Sequence, residues 1–267
     1  MKRIQLLLLR VLCLNFLLVS FANGQVEREP GIHAGAAERL ITPPLGIEIH
    51  AQRPNVGVRD PTYLRALVLE DAKGTSVALI TADIICAGFV AMDELRSRVK
   101  KETGVSEVWF NCSHAHSSRW LRATPTPQQE WNDELIWDEF YTHPLNENPT
   151  EAAWNKSVHQ SAVEVVAQAK KKLAPATLHA GRAPVQVGFN RRITEANGHT
   201  HMGVNREGSV VPWVNVLVAK SRETTKPIAV LFEHPAHPVM IPPGNNLVSA
   251  DFPGSAVERI HESLGDN

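Results

Sequence analysis

The sequence predicts an α/β fold, a mixed β-sheet with flanking helices and β-hairpins. Three observations carry this. Apolar runs of strand length come in pairs around short polar turns. An amphipathic helical stretch separates two such runs. Two of the runs end in histidine-containing loops.

In chain order, a short strand falls within Gly35 to Gly46 and ends at Thr42-Pro-Pro44, where two prolines impose extended backbone. Tyr63–Leu69 and Ser76–Thr81 flank the turn Asp71-Ala-Lys-Gly74 and read as a hairpin. Asp83 follows as a ligand-side carboxylate or a cap. Val90 to Thr103 repeats apolar residues at helical steps (Met92, Leu95, Val99) and stops at Gly104. Val108–Cys112 is the next strand, so strand, helix and strand form a βαβ unit. Arg119 to Asn148 is a Trp-rich insert, either a wall of the site or a surface excursion.

Pro149 opens a helix with Trp154, Val158, Ala162, Val165 and Ala169 on one face, and Lys170 to Lys172 suit its C-terminal dipole. Thr177–Ala180 and Val185–Phe189 read as short strands, followed by a polar loop to Gly208. Trp213–Ala219 and Ile228–Phe232 form a second hairpin. Ser255–Leu264 is a last helix, capped by Asp251.

Of 267 residues, 43% are apolar and 21% charged, an ordinary globular composition. A net charge of −1 and 6% aromatics give no electrostatic or stacking basis for nucleic-acid binding. Residues 1–24 read as a secretory signal: Lys2 and Arg3, then the apolar Leu6–Phe21, then Ala22-Asn-Gly24. The expected location is therefore secreted or periplasmic, with a single domain over 25–267. Cys86 and Cys112 are expected as buried free thiols.

The chemistry concentrates at Ser113-His-Ala-His-Ser117. In extended backbone His114 and His116 point to the same side, and imidazoles are ready metal ligands and acid–base groups. Two hydrogen-bonded loop histidines would give the same spacing. A second strand runs into His234-Pro-Ala-His237, and if both strands point the same way their histidines meet. His199 and His201 sit in a polar stretch and are expected as solvated loop residues.

Five stretches in this order resemble the N-terminal domain of the neutral, non-lysosomal ceramidases: Ala34–Gly46, Ala66–Asp71, Ser113–Ser117, Asn190-Arg191, and Ala236–Val239 with Val248–Gly254. The resemblance implies a zinc-dependent amidohydrolase that cleaves the N-acyl bond of ceramide. It implies His114 and His237 as zinc ligands, His116 as a substrate-facing or acid–base group, and Arg191 near the reacting amide. The expected partner is a small-molecule amide or lipid, with peripheral membrane contact; oligomeric state is left open.

Ser113 and Ala115 stand where the family has Thr, and Ser118-Arg119 where it has Gly-Pro. The family's further Glu and Tyr ligands and its Gly-Asp-x-Ser-Pro serine have no match here. That leaves two expectations: the N-terminal part of a longer hydrolase, or an exported non-catalytic binding module. A metallo-β-lactamase-like hydrolase is disfavoured, since no Asp-His follows His116.

Overall fold

A computed structural model describes residues 31–49, 53–122, 149–241 and 244–265. Residues 1–24, expected as a signal segment, and most of the Trp-rich insert lie outside these residues. Nine strands and three helices build the body and the loops around the site: β1 (Ile32–Leu40), β5 (Tyr63–Glu70), β6 (Ser76–Ala82), α1 (Phe89–Thr103), β7 (Glu107–Cys112), α2 (Pro149–Lys171), β8 (Ala174–Pro184), β9 (Asn190–Thr194), β10 (Thr200–Asn205), β11 (Trp213–Ser221), β12 (Pro227–Glu233) and α3 (Asp251–Leu264). The short strands β2 (Glu48–Ile49), β3 (Arg53–Pro54), β4 (Gly57–Val58) and β13 (Leu247–Val248) stitch loops together.

Seven strands form one mixed sheet in the order β12-β11-β8-β1-β5-β6-β7. Both expected hairpins form, β5–β6 and β11–β12, each antiparallel. The βαβ unit is also present, with β7 parallel to β6 across α1.

Burial explains the choice of elements. Along β6 alternate residues are buried, the period-2 pattern of a strand with one core face. On α1, Ala91, Leu95 and Val99 lie four residues apart and point inward; Gly104 takes the left-handed conformation (φ 68°) that ends it. Trp154, Val158, Ala162, Val165 and Ala169 of α2 complete the core with Leu64, Val68, Ile80 and Phe110 of the sheet. The Trp154 indole N–H donates to Ile41 O at 2.7 Å. At Gly35, β1 passes so close to the C-terminal turn of α2 that a Cβ would overlap the Ala169 carbonyl.

Several boundaries differ from the sequence expectation. Strand β8 runs unbroken to Pro184 along β11, and residues 185–189 are not strand. The polar stretch after Asn190 is a hairpin, β9–β10, closed by Glu195–His199, so His201 sits on a strand. Helix α3 starts at Asp251, four residues early. The first residues of the Trp-rich insert belong to the body. Leu121 is buried and bridges Ala87, and Arg119 forms a buried ion pair with Glu151 at the start of α2. Burial lowers the Arg119 pKa to about 10. Asn111 is exposed, because it lies on the face of β7 opposite the buried Val108 and Phe110. Among the described residues no helix is long and apolar enough to cross a membrane.

Candidate metal centre

Strand β7 ends at Cys112, and the chain then turns sharply. His114 has φ +64°, a left-handed conformation uncommon outside glycine. The two histidines are therefore brought together by a bend at His114 and not by strand alternation. The bend is fixed from several sides. The backbone N–H of His114 donates to Ile84 O (3.0 Å), and its Nδ1 lies 2.7 Å from Ile85 O. A carbonyl only accepts, so the proton is on Nδ1 and the Nε2 lone pair faces the site. Orientation of a ligating imidazole through its other nitrogen is the usual arrangement at metal sites.

His237 arrives from the loop after β12, and the three rings of His114, His116 and His237 converge. His116 Nε2 is 3.2 Å from His114 Nε2 and 2.7 Å from His237 Nε2. The His114 and His237 rings are stacked with centroids 5.0 Å apart, and His116 stands edge-on to both. One nitrogen from each ring lies within 4.8 Å of the others. Tetrahedral zinc with Zn–N of about 2.0–2.1 Å places its nitrogens about 3.3 Å apart. The His114–His116 pair already has that spacing, the His116–His237 pair needs to open by roughly half an ångström, and the widest pair, within 4.8 Å, needs to close. The donor set fits a divalent metal that accepts imidazole, with a fourth position left for solvent.

Arg191, at the start of β9, donates through Nη2 to His237 Nδ1. That contact assigns the His237 proton to Nε2. Metal binding at Nε2 would move the proton to Nδ1, where it would confront the guanidinium, so Arg191 must shift when His237 ligates.

The surrounding loops are held by a hydrogen-bond network that sequence reasoning did not find. The His116 N–H donates to Pro238 O (3.3 Å), and the Ser249 N–H to Ser117 O (2.8 Å). Ser249 Oγ donates to Asp60 Oδ2 (2.6 Å) and accepts from the Asp251 N–H (3.0 Å). Asp251, buried with φ +56°, accepts from Ile241 N–H (3.1 Å) and Phe252 N–H (2.7 Å). The sequence signal was Val248-Ser-Ala-Asp251, two short polar side chains just ahead of a helix.

Other candidates stand apart. His234 Nδ1 donates to Trp213 O (2.9 Å), and its ring faces Phe252. His199 and His201 stack on the β9–β10 hairpin, with His201 Nδ1 3.6 Å from Glu195. The Asp83 carboxylate accepts from the Tyr63 N–H and pairs with Arg65 (2.8 Å), so it is a structural anchor. Desolvation outweighs Arg65 and raises its pKa. Cys86 and Cys112 are free thiols, both pushed up to about 12 by burial.

No family model matches the chain, and no curated protein does. Among solved structures it is similar to the neutral ceramidase from Pseudomonas aeruginosa, with a TM-score of 0.67 and 15% identity over 90% of this chain and 37% of that one. It is also similar to a ceramidase complexed with C2, with a TM-score of 0.66 and 16% identity over 90% of this chain and 36% of that one. The chain spans little more than a third of the length of either. At such identity the likeness establishes architecture: the chain has the α/β fold seen in ceramidases.

Proposed function

We propose that the chain carries the metal centre of a zinc-dependent amidohydrolase that cleaves an N-acyl amide bond. The observation that carries this reading is the meeting of His114, His116 and His237, from segments 121 residues apart, on a fold shared with two ceramidases. When bound, zinc supplies a water of lowered pKa and polarises the amide carbonyl. His114, oriented by Ile85 O, and His237 hold the ion, and His116 completes the nitrogen set. Arg191, displaced from His237 on metal binding, is placed to donate to the developing oxyanion. Ceramide is the substrate class suggested by the neighbours' names. An exported location, with cleavage before Gln25, belongs to the same reading and is checked by sequencing the N-terminus of the mature protein.

The test is metal content by elemental analysis, with amide hydrolysis assayed alongside. Wild type should hold about one zinc per chain, and His114→Ala and His237→Ala should hold none. His116→Ala separates ligand from acid–base group: loss of metal supports the ligand, whereas full metal with lost turnover supports the acid–base role. Normal metal in both the His114 and His237 variants would sink the assignment. The second reading, a binding module without catalysis, draws on a likeness of 15% identity, which carries the fold and not the chemistry. It predicts bound zinc with no hydrolysis.

A further inference from the structure

A cavity of about 480 Å³ opens on the β9–β10 hairpin, lined by Asn190, Arg191 and Arg192 on one strand and Thr200, His201 and Met202 on the other. Its volume lies in the range of small-molecule sites. It is linked to the imidazoles through Arg191, which lines it and donates to His237.

The charge of the cavity is one-sided. Two guanidinium groups line it and no carboxylate does, while Glu195 lies 3.6 Å from the lining His201. Among the described residues neither Arg191 nor Arg192 has a carboxylate within ion-pair distance, as is also true of Arg53, Arg182 and Arg206. The backbone of Arg192 is fixed by its N–H bond to Asn190 Oδ1 (2.9 Å) and by its cross-strand partner Met202. The hairpin therefore presents an uncompensated Arg192 guanidinium one residue along the strand from Arg191. A planar guanidinium matches a carboxylate through two parallel N–H donors.

We propose that this cavity receives a carboxylate on the substrate, held by Arg192 with Arg191 at the inner wall. The inference rests on the amidohydrolase reading and replaces the ceramide that the neighbours' names suggest with an acidic amide. The amine half of the substrate is acidic, as in an N-acyl amino acid, and is not an uncharged sphingoid head. In an N-acyl amino acid the carboxylate stands one carbon from the amide nitrogen. A cationic pocket linked to the ligating histidines through Arg191 can then meet it while the scissile carbonyl faces the imidazoles.

The experiment uses the zinc-loaded full chain and two probes of nearly equal shape, N-benzoylglycine and its uncharged primary amide, with affinity read by calorimetry. Wild type should bind the carboxylate about tenfold more tightly than the amide, the worth of one good charge-assisted contact. Arg192→Gln should erase that preference, leave the affinity for the amide unchanged, and keep the wild-type zinc content and melting temperature. Equal binding of both probes by wild type overturns the inference. So does a preference that survives Arg192→Gln but disappears when zinc is stripped, which would place the carboxylate on the ion. A wild-type chain that holds no zinc overturns the hydrolase reading itself, an outcome distinct from both.

Discussion

The loop that delivers His237 is held in part by one buried carboxylate, and replacing it separates two energetic contributions. Asp251 is 3% exposed, has φ +56°, and accepts from Ile241 N–H and Phe252 N–H. In Asp251→Ala both acceptors vanish. A buried N–H left unpaired costs about 1–3 kcal/mol, and alanine at positive φ adds about 1 kcal/mol. The expected loss is therefore about 3 kcal/mol. Asp251→Gly loses the same acceptors but tolerates the dihedral, so it should lose about 2 kcal/mol. Asp251→Asn keeps one acceptor and an acceptable left-handed residue, and should lose about 1 kcal/mol.

The assay is urea unfolding of metal-free protein, with the m-value as a check that the denatured state is unchanged. Zinc affinity of the same variants is read by competition with a chromogenic chelator. It should weaken in the order Asn, Gly, Ala, because residues 238–241 carry the constraint from Asp251 back to His237. A glycine variant as stable as wild type would refute the reasoning, since the hydrogen bonds would then contribute nothing. Unchanged zinc affinity throughout would detach Asp251 from the site.

Lys170→Ala tests a cap. The Lys170 ammonium donates to Thr103 O (3.0 Å) and Gly104 O (3.3 Å), closing the C-terminus of α1 from α2. Its loss should cost about 1 kcal/mol in urea unfolding, partly recovered by arginine. Asp83 tests a pH dependence. Its folded pKa lies above the unfolded 3.8, so between those values the folded state binds more protons and stability falls as pH rises through the folded value. Relative to Asp83→Asn, wild type should gain stability on going from pH 7 to pH 4, and a gap between the two unfolding midpoints that does not change with pH would contradict this.

Periodicity was a good guide wherever one face of an element is buried. The two hairpins, the βαβ unit, α1 and α2 all follow from alternation or four-residue spacing against one core. It failed on β9–β10, whose residues are mostly exposed, so that no buried face imprints a pattern. The usable signal there was Asn197-Gly198, a turn pair with Gly198 at φ +85°. Lys170 read as a charge on its own helix dipole, because sequence does not say which neighbouring helix end a long side chain reaches. The meeting of His114 with His237 was legible as two strands ending in histidines. The bend at His114 was not, since it depends on Ile84 and Ile85 carbonyls from another segment.

The sheet is unevenly clothed. Helices α1 and α2 cover the strands around β5, β6 and β7, whereas β8, β11 and β12 keep largely half-open side chains among the described residues. His114 and His116 grow from the well-covered side, and His237 from the thinly covered one. An ion gripped by all three would thus rivet the soft flank of the molecule to its firm flank, and the mechanical coherence of the whole would come to depend on metal supply.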